Sequence, residues 1–420
     1  MSKSVRLKSL AINGGEKSIK CLLPDRSLLG EEEKAAINSL FDGAISEGAA
    51  IGYNGPEEEQ YTKEFAEFMG GGYADAVNSG TTAVFVALKA LNIEPFTEVI
   101  VSPITDPGGI MPIPMLNCIP VVADAAAGKY NTDAKEIEKY ITPLTSAIVV
   151  AHIGGEPADI ENIVALGKKH GIPVVEDCAQ AHGAKLNGKL VGTFGDIAAI
   201  STMFGKHHST GGQGGIVYTQ REDLYWKIRQ AADRGKPFGI SNPNGNVMAS
   251  LNFNLDEIGA TIGRQQLKKL PEIVKRRRDV VERLKREFSK LDAIIIPEQL
   301  EGSEPSYWWW RLDVDEGKLN VTKREYCEAL LAEGVPLNPS YSAALPQLFD
   351  WYKKRRVFGT SEYPWSAPEY KGDKDKIYSW PNAIEATKRQ FNLTIYESWE
   401  DEEIELIVSA FKKVEDAYRK

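Results

Sequence analysis

The chain has 420 residues, of which 42% are hydrophobic and 26% are charged, a composition typical of a globular protein with room for two domains. Its formal net charge of −9 and pI of about 5.4 argue against a general role on nucleic acid, which usually requires a basic surface. No signal stretch is present and no apolar run is long enough to cross a bilayer, so we expect a cytoplasmic protein without a membrane partner.

Residues 1–25 are predicted to form an N-terminal arm, and residues 26–285 a large α/β domain. In the large domain, apolar strands such as EVIV, IPVV, SAIVVA and PVVED alternate with helical patterns, which predicts a mostly parallel sheet covered on both faces. A helix predicted at about 262–290 leads into a smaller α+β domain, residues 286–420, which closes with a helix.

Two other patterns suggest further functions only weakly. The basic run KRRRD, residues 275–279, lies within an amphipathic helix pattern, which favours a solvated helix face. The four cysteines lie far apart without a CxxC pair, so they indicate neither a metal site nor a disulfide framework: Cys21, Cys118, Cys178 and Cys327.

The stretch NSGTTAVFVALKAL predicts a strand end, a turn and a helix. Ser79, Gly80 and Thr81 lie at the turn, where free N–H groups and hydroxyls at the start of a helix suit a phosphate. Simple capping of the helix by a serine or threonine explains the same residues without a ligand.

The stretch VVEDCAQAHG ends an apolar strand on two carboxylates. Asp177 at this strand end is expected to be partly buried, so it requires a cationic partner, and a protonated pyridine nitrogen is one. Capping of the following segment is the alternative explanation. In an open parallel sheet, ligands bind beyond the carboxyl ends of the strands, where Asp177 and the phosphate turn would meet.

The stretch STMFGKHHSTGGQGG contains a single lysine, Lys206, five residues after Ser201. A lysine held in an uncharged pocket has a lowered pKa, and its neutral amine can form a Schiff base with an aldehyde. A solvated lysine in a glycine-rich loop is the alternative. A dinucleotide loop at GGQGG is disfavoured because the glycines precede a strand instead of joining a strand to a helix.

A phosphate anchor, an aspartate for a ring nitrogen and a Schiff-base lysine are the three groups that pyridoxal 5'-phosphate requires. Each signal alone is weak, but the three occur together in this order. The sequence therefore predicts an enzyme that depends on this cofactor and on no metal.

The sequence resembles the pyridoxal-phosphate-dependent sugar aminotransferases of the DegT/DnrJ/EryC1/StrS family over nearly its whole length. The resemblance is carried by NSGTTAVFVAL, by VVEDCAQAHGAKLNGKLVGTFGDIAAIS, by GKHHSTGGQGGIVYT and by NFNLDEIGATIGRQQLKKLPEIVKRR. It implies an aspartate-aminotransferase-like fold (fold type I), with a seven-stranded, mostly parallel sheet. Weaker cues, such as LAINGGEKSI and PWSAPEY, are similar to the branch of glutamine:scyllo-inosose aminotransferases.

The resemblance also implies a role for each residue that matches the family's motifs. Lys206 would form the internal aldimine and act as general acid and base, Asp177 would pair with the pyridine nitrogen, and Gln180 would lie by the ring. Asn252 would reach the phosphate from a neighbouring subunit, which implies a homodimer with shared active sites. The phosphate would otherwise be held by Gly80, Thr81 and Ser201.

Several residues depart from the family's pattern. Asp106 stands at or near the place of an aromatic residue that stacks on the pyridine ring, and Asn254 replaces a common arginine. His207 and His208 are unusual neighbours of the lysine. They would contact substrate, act as a second acid or base near neutral pH, or only fill or cap the loop.

The predicted reaction is transfer of an amino group from glutamate or glutamine to a keto sugar or keto cyclitol, in the biosynthesis of an amino sugar or aminocyclitol. A deoxysugar dehydratase is the nearest alternative, but such relatives typically carry histidine in place of Lys206. A protein that binds the cofactor without catalysis is the other alternative. Aromatic residues offered for a sugar site, or equally for a core, are Trp308, Trp309, Trp310, Tyr341 and Trp365.

Overall fold

The computed structural model describes residues 3–26 and 28–420, so Met1 and Ser2, at the start of the expected arm, and Ser27 lie outside it. The strands are β1 Tyr73–Val77, β2 Glu98–Val101, β3 Ile119–Val122, β4 Thr145–Ala151, β5 Val174–Asp177, β6 Lys185–Leu186, β7 Lys189–Leu190, β8 Ile197–Ser201, β9 Gly215–Thr219, β10 Ile294–Ile295, β11 Ser303–Glu304, β12 Trp309–Val314, β13 Leu337–Asn338 and β14 Gln390–Thr394. The α-helices are α1 Lys3–Ser9, α2 Glu31–Glu47, α3 Pro56–Phe68, α4 Gly80–Ala90, α5 Pro107–Ile110, α6 Pro112–Met115, α7 Ala134–Glu138, α8 Ile160–His170, α9 Glu222–Ala232, α10 Glu257–Phe288, α11 Lys323–Ala332, α12 Asp350–Lys353, α13 Pro381–Arg389 and α14 Asp401–Tyr418.

Seven strands form the main sheet in the order β1-β9-β8-β5-β4-β2-β3. The pairs from β8 to β3 are parallel, and β9 runs antiparallel to both of its neighbours. Every residue of β2, β3 and β5 is buried, because helices cover both faces of the sheet. The prediction of a mostly parallel, seven-stranded sheet is confirmed.

The sheet register brings three predicted motifs to one edge. Val77, at the end of β1, and Ser201, at the end of β8, both pair with Gly215 of β9. Asp177 ends β5, the neighbour of β8 in the parallel part of the sheet. The turn into α4, the aspartate and the start of the lysine loop are therefore placed together by strand pairing, although they are distant in sequence.

Helix α10 begins earlier than the prediction of 262–290 placed it. Asp256 is its N-cap, and its Oδ1 accepts a hydrogen bond from the N–H of Gly259 at 2.7 Å. The apolar period is weak in the first turns, which is why the sequence pattern misses this start. Although α10 is the longest helix in the described ranges, no helix there is long and apolar enough to cross a membrane.

A second sheet, antiparallel and four-stranded in the order β10-β12-β14-β13, lies in the C-terminal part. Trp310 of β12 stacks on Phe288 at 5.6 Å, and Phe288 packs on Phe411 of α14, forming a separate core. Leu10 and Ile19 of the expected N-terminal arm are buried in this same core. The predicted boundaries near residues 25 and 285 stay predictions.

The segment between β13 and α13 covers the edge of the main sheet at β3. The Tyr352 hydroxyl donates to the carbonyl of Pro120 at 3.1 Å, and the Trp380 indole N–H donates to the carbonyl of Val122 at 2.8 Å. These side chains satisfy carbonyl groups that an exposed edge strand would leave open. The start of the same segment reaches a different edge of the sheet, the carboxyl edge at which the three motifs meet.

Candidate active site

A pocket of about 380 Å³ opens at the carboxyl end of the main sheet. Six of the seven residues predicted for the site line it: Gly80, Thr81, Asp177, Gln180, Ser201 and Lys206. The seventh, Asn252, is not among the described residues that line the pocket of its own chain. The roles of these residues stay predictions, but their meeting in one cavity is a property of the fold.

The start of α4 forms one wall of the pocket. The Ser79 hydroxyl accepts a hydrogen bond from the N–H of Thr82 at 3.1 Å, so this serine is a helix cap. The first-turn N–H groups of Gly80 and Thr81 have no acceptor within the helix. A Cβ on Gly80 would lie 2.5 Å from the Cβ of Ser201, so only glycine permits this approach. The capping explanation and the anion-site prediction are therefore compatible.

Asp177 lies on the floor of the pocket with 7% of its surface exposed. Its Oδ1 accepts a hydrogen bond from the N–H of Ala179 at 3.0 Å, and no other hydrogen bond reaches this carboxylate from the described residues. Burial raises the pKa of Asp177, although this hydrogen bond and the charge of Lys206 oppose the rise. A buried carboxylate with an unused oxygen fits a protonated ring nitrogen as its partner.

The Lys206 side chain is 9% exposed. Its amine lies 4.7 Å from the centroid of the Trp308 ring and forms no ion pair with the described carboxylates. Burial lowers the pKa of Lys206, while the negative charges of Asp177 and Asp106 raise it. The surface-lysine explanation is wrong for this loop, because the amine is enclosed and its neutral form is favoured.

Gln180 connects the pocket to the C-terminal part of the chain. Its Oε1 accepts a hydrogen bond from the N–H of Gly154 at 2.8 Å, and its Nε2 donates to the Tyr341 hydroxyl at 3.1 Å. Tyr341 also stacks on Tyr130 and meets Trp309 edge to face, and these three residues form an aromatic cluster within a hydrophobic core next to Gln180. Of the other aromatic residues offered for a sugar site, Trp310 and Trp365 also belong to cores.

His207 and His208 point away from acid–base chemistry. Both are fully buried and neither lines the pocket. A ring nitrogen of His207 bonds the carbonyl of Ser306 at 3.0 Å, and one of His208 bonds the Tyr61 hydroxyl at 2.8 Å. Burial lowers the pKa of His207 well below its ordinary value and that of His208 to about 4, so both are neutral near pH 7. These contacts favour the explanation that the histidines fill the loop.

Asp106 and Asn254, the two departures from the family's pattern, have distinct environments. Asp106 lines the pocket, and its Oδ1 accepts a hydrogen bond from the N–H of Gly108 at 3.0 Å, which caps α5. Asn254 donates its backbone and side-chain N–H groups to Oδ1 of Asn252, at 3.1 and 2.7 Å. Asp106 therefore adds a negative charge to the pocket, whereas Asn254 orients the amide of a neighbouring residue.

Replacing Asp106 by asparagine should lower the pKa of Lys206 further. The substitution keeps the cap of α5 but removes one of two negative charges that stabilise the ammonium form. We expect the pH profile of Lys206 modification by an amine reagent, followed by mass spectrometry on the apoprotein, to move to lower pH. Asp133→Asn is a matched control, because Asp133 caps α7 in the same way without lining the pocket. An unchanged profile would contradict the assigned charge interaction.

The pocket also contains residues that the sequence analysis did not single out. Met203, Phe204 and Gln213 come from the lysine loop itself, and His152 comes from the end of β4. His152 lies near Glu176 and Cys178, a grouping that resembles a metal site. Glu176 instead accepts backbone N–H groups of Gly192, Phe194 and Gly195 and pairs with the His152 ring, which explains this grouping by hydrogen bonding alone.

Comparison with known proteins gives a consistent result. Residues 31–412 match the model of the DegT/DnrJ/EryC1/StrS aminotransferase family. The spore coat polysaccharide biosynthesis protein SpsC of Bacillus subtilis (strain 168) is 31% identical over 396 residues, which cover 92% of this chain and 95% of that protein. The GDP-perosamine synthase of Escherichia coli O157:H7 is 31% identical over 288 residues, covering 69% and 76% of the two chains.

A solved structure agrees with these sequence matches. The crystal structure of the aminotransferase from Psychrobacter cryohalolentis superposes with a TM-score of 0.79 and 27% identity. The match covers 93% of this chain and 98% of that one. The similarity extends beyond the main sheet to the C-terminal part, because so little of either chain lies outside it.

Proposed function

The chain belongs to the DegT/DnrJ/EryC1/StrS aminotransferase family and is a pyridoxal-phosphate-dependent aminotransferase of fold type I that acts on a sugar; we propose that it moves an amino group from glutamate or glutamine to a keto sugar or keto cyclitol. The observation that carries the proposal is the enclosed amine of Lys206, which shares one pocket with Asp177 and the start of α4. The aminated product of this transfer would serve the biosynthesis of an amino sugar or aminocyclitol.

The residues present fit the cofactor in three places. The N–H groups of Gly80 and Thr81 and the Ser201 hydroxyl would bind its phosphate, because the start of α4 favours a negative charge. Asp177 would accept a hydrogen bond from its protonated ring nitrogen, and Gln180 would lie beside the ring. When bound, the cofactor supplies an electron sink for the bond that breaks next to the transferred nitrogen.

Lys206 would hold and move the proton of the reaction at its Nζ atom. Burial lowers the pKa of this amine and so increases the share of its neutral form, which is the form able to accept a proton from the donor's α-carbon. Its burial beside Trp308 limits contact with water, which would keep the proton available for delivery in the opposite half of the reaction. This role would make Lys206 general base and general acid in turn.

The acceptor proposal rests on Tyr341, which contacts the pocket residue Gln180 and belongs to the aromatic cluster with Tyr130 and Trp309. A sugar or cyclitol ring presents an apolar C–H face that packs on aromatic rings and a rim of hydroxyls that form hydrogen bonds. The Tyr341 hydroxyl accepts a hydrogen bond from Gln180, so its own proton is available to a substrate oxygen. Tyr341 would thus link recognition of the acceptor to the residue beside the ring.

We propose in addition a homodimer whose active sites are shared. Asn252 lies outside its own pocket, on a segment whose neighbour Leu251 is 64% exposed. Asn254 occupies Oδ1 of Asn252 with two hydrogen bonds, so the Asn252 amide N–H groups remain as donors. A donor presented this way suits a phosphate in the neighbouring subunit.

The proposed reaction is tested in its two halves. Addition of glutamine or glutamate to the protein loaded with pyridoxal phosphate should convert the visible absorption band to that of the amino form, because Lys206 completes the first proton transfer. The protein in its amino form is then mixed with nucleotide-linked, free and phosphorylated keto sugars and with an inosose, and aminated products are identified by mass spectrometry.

The three outcomes separate the parts of the proposal. Return of the original absorption band with one acceptor class, together with the matching amine, identifies the substrate. Conversion by a different amine donor alone would contradict the assignment of glutamate or glutamine. Return of the band only with acceptors that are neither sugars nor cyclitols would contradict the acceptor proposal.

A further inference from the structure

A buried group of three charged residues lies behind the lysine loop: Arg26, Arg277 and Glu397. Their side chains are 7%, 0% and 12% exposed. Arg26 precedes α2, Arg277 lies in α10, and Glu397 lies between β14 and α14. Glu397 accepts from Nε of Arg26 at 2.9 Å and from Nε of Arg277 at 2.8 Å, one on each oxygen.

Arg26 binds the backbone of the lysine loop. Its Nη1 donates to the carbonyls of Gly205 and Lys206 at 2.5 and 2.7 Å, and its Nη2 donates to the carbonyl of His207 at 3.4 Å. The loop turns tightly at this point, since the Lys206 N–H donates to the carbonyl of Met203 at 2.8 Å. Buried carbonyls require donors, and a planar guanidinium can serve several at once.

Arg277 binds the backbone at Tyr307 and Trp308 in the same manner. Its Nη1 donates to the carbonyl of Tyr307 at 2.7 Å and, more weakly, to that of Trp308 at 3.4 Å. The Trp308 ring is the surface against which the Lys206 amine rests, 4.7 Å from its centroid. Arg26 therefore fixes the backbone of the lysine loop. Arg277 fixes the backbone at Trp308, whose ring contacts the Lys206 amine.

We propose that Glu397 is a positioning residue for Lys206, acting through Arg26 on the lysine loop and through Arg277 on Trp308. One carboxylate holds both guanidinium groups, so it sets the distance between the lysine loop and the backbone at Trp308. Burial raises the pKa of Glu397, but the charges of Arg277 and Arg26 outweigh burial and lower it, which keeps the carboxylate ionised. The inference rests on the proposed role of Lys206 but needs no identified donor or acceptor.

The test compares Arg26→Lys, Arg26→Gln and Glu397→Gln with the wild-type protein. Lysine keeps a positive charge for Glu397 but cannot serve three carbonyls, so Arg26→Lys separates positioning from charge pairing. We expect faster amide hydrogen exchange in residues 203–208 of the apoprotein and roughly tenfold weaker binding of pyridoxal phosphate. The kcat of the first half-reaction should fall by roughly 10²-fold with little change in KM, since none of these residues lines the pocket.

The matched control is Glu400→Gln. Glu400 pairs with Arg276, the residue preceding Arg277, but this pair lies on the surface and bonds neither the lysine loop nor the backbone at Trp308. We expect wild-type exchange and affinity in this variant. If Glu397→Gln does not fold, the two Arg26 variants decide, because they leave the Glu397–Arg277 pair intact. Wild-type exchange in 203–208 and wild-type cofactor affinity in Arg26→Lys and Arg26→Gln would overturn the proposal. Both readouts are taken without substrate, so they are independent of the proposed reaction.

Discussion

Lys206→Ala should remove the visible absorption band that pyridoxal phosphate acquires in this protein and lower the rate of the first half-reaction by about 10³-fold or more. Alanine provides neither a covalent link to the cofactor nor a group that accepts the donor's proton. Phosphate binding at the start of α4 should persist, because Gly80, Thr81 and Ser201 are unchanged. The measurements are the absorption spectrum and single-turnover kinetics with glutamate and glutamine.

Lys189→Ala is a matched control for this substitution. The Lys189 amine also lies over an aromatic ring, 4.4 Å from the centroid of Phe194, but it is far from the pocket lining. The Lys189→Ala protein should bind the cofactor and react as the wild type does. Mixing Lys206→Ala subunits with Asn252→Ala subunits should restore part of the activity if the sites are shared. A Lys206→Ala protein whose bound cofactor is still converted to the amino form by the donor would refute the role assigned to Lys206.

Asp177→Asn should lower the rate of the same half-reaction by roughly 10²–10³-fold, the scale on which removing one preorganised electrostatic partner acts. Asparagine preserves the shape of the side chain and a hydrogen-bond acceptor. It does not stabilise a protonated ring nitrogen, so the electron sink is weakened. Removing this charge should also lower the pKa of Lys206, because the interaction with Asp177 is the larger of the two charge interactions that raise this pKa.

The wild-type pH dependence supplies a second measurement. Burial raises the pKa of Asp177 in the apoprotein, so its carboxylate is lost as the pH falls through this raised value. Cofactor affinity, followed by absorbance titration, should weaken in that same direction, and Asp177→Asn should abolish this part of the dependence. Asp196→Asn is the control, since Asp196 precedes β8 but pairs with Arg221 at the surface. Equal cofactor affinity and rate in Asp177→Asn would exclude the proposed pairing.

The main sheet and most of the candidate site could be predicted because their signals are local. A buried parallel strand is a continuous apolar run, and a polar residue directly after it must lie at the carboxyl edge of the sheet. This reasoning places Asp177, Ser201 and the turn at Gly80 at one edge, and strand pairing confirms the arrangement. A helix cap and a phosphate-binding turn use the same residue types, so Ser79 could not be assigned between them from sequence.

Other features depend on contacts that no local pattern encodes. His207 and His208 follow the lysine directly, yet the loop turns them into the interior, where Ser306 and Tyr61 bind their rings. Tyr341 reaches Gln180 from 161 residues away, and Leu10 packs into the C-terminal core. An aromatic residue in a sequence does not reveal whether it packs in a core or faces a ligand, since both environments favour it.

The sequence by itself determined the order of strands and helices, the three chemical groups for pyridoxal phosphate and the likeness to a family of sugar aminotransferases. Only the tertiary structure decided how the amine of Lys206 is held. The group that fixes its loop joins Arg26 to Glu397 across 371 residues, and each of these would be read alone as an ordinary charged residue. The pair matters because it is buried. Backbone carbonyls and charges removed from water must find partners, and the fold supplies these partners from distant parts of the chain.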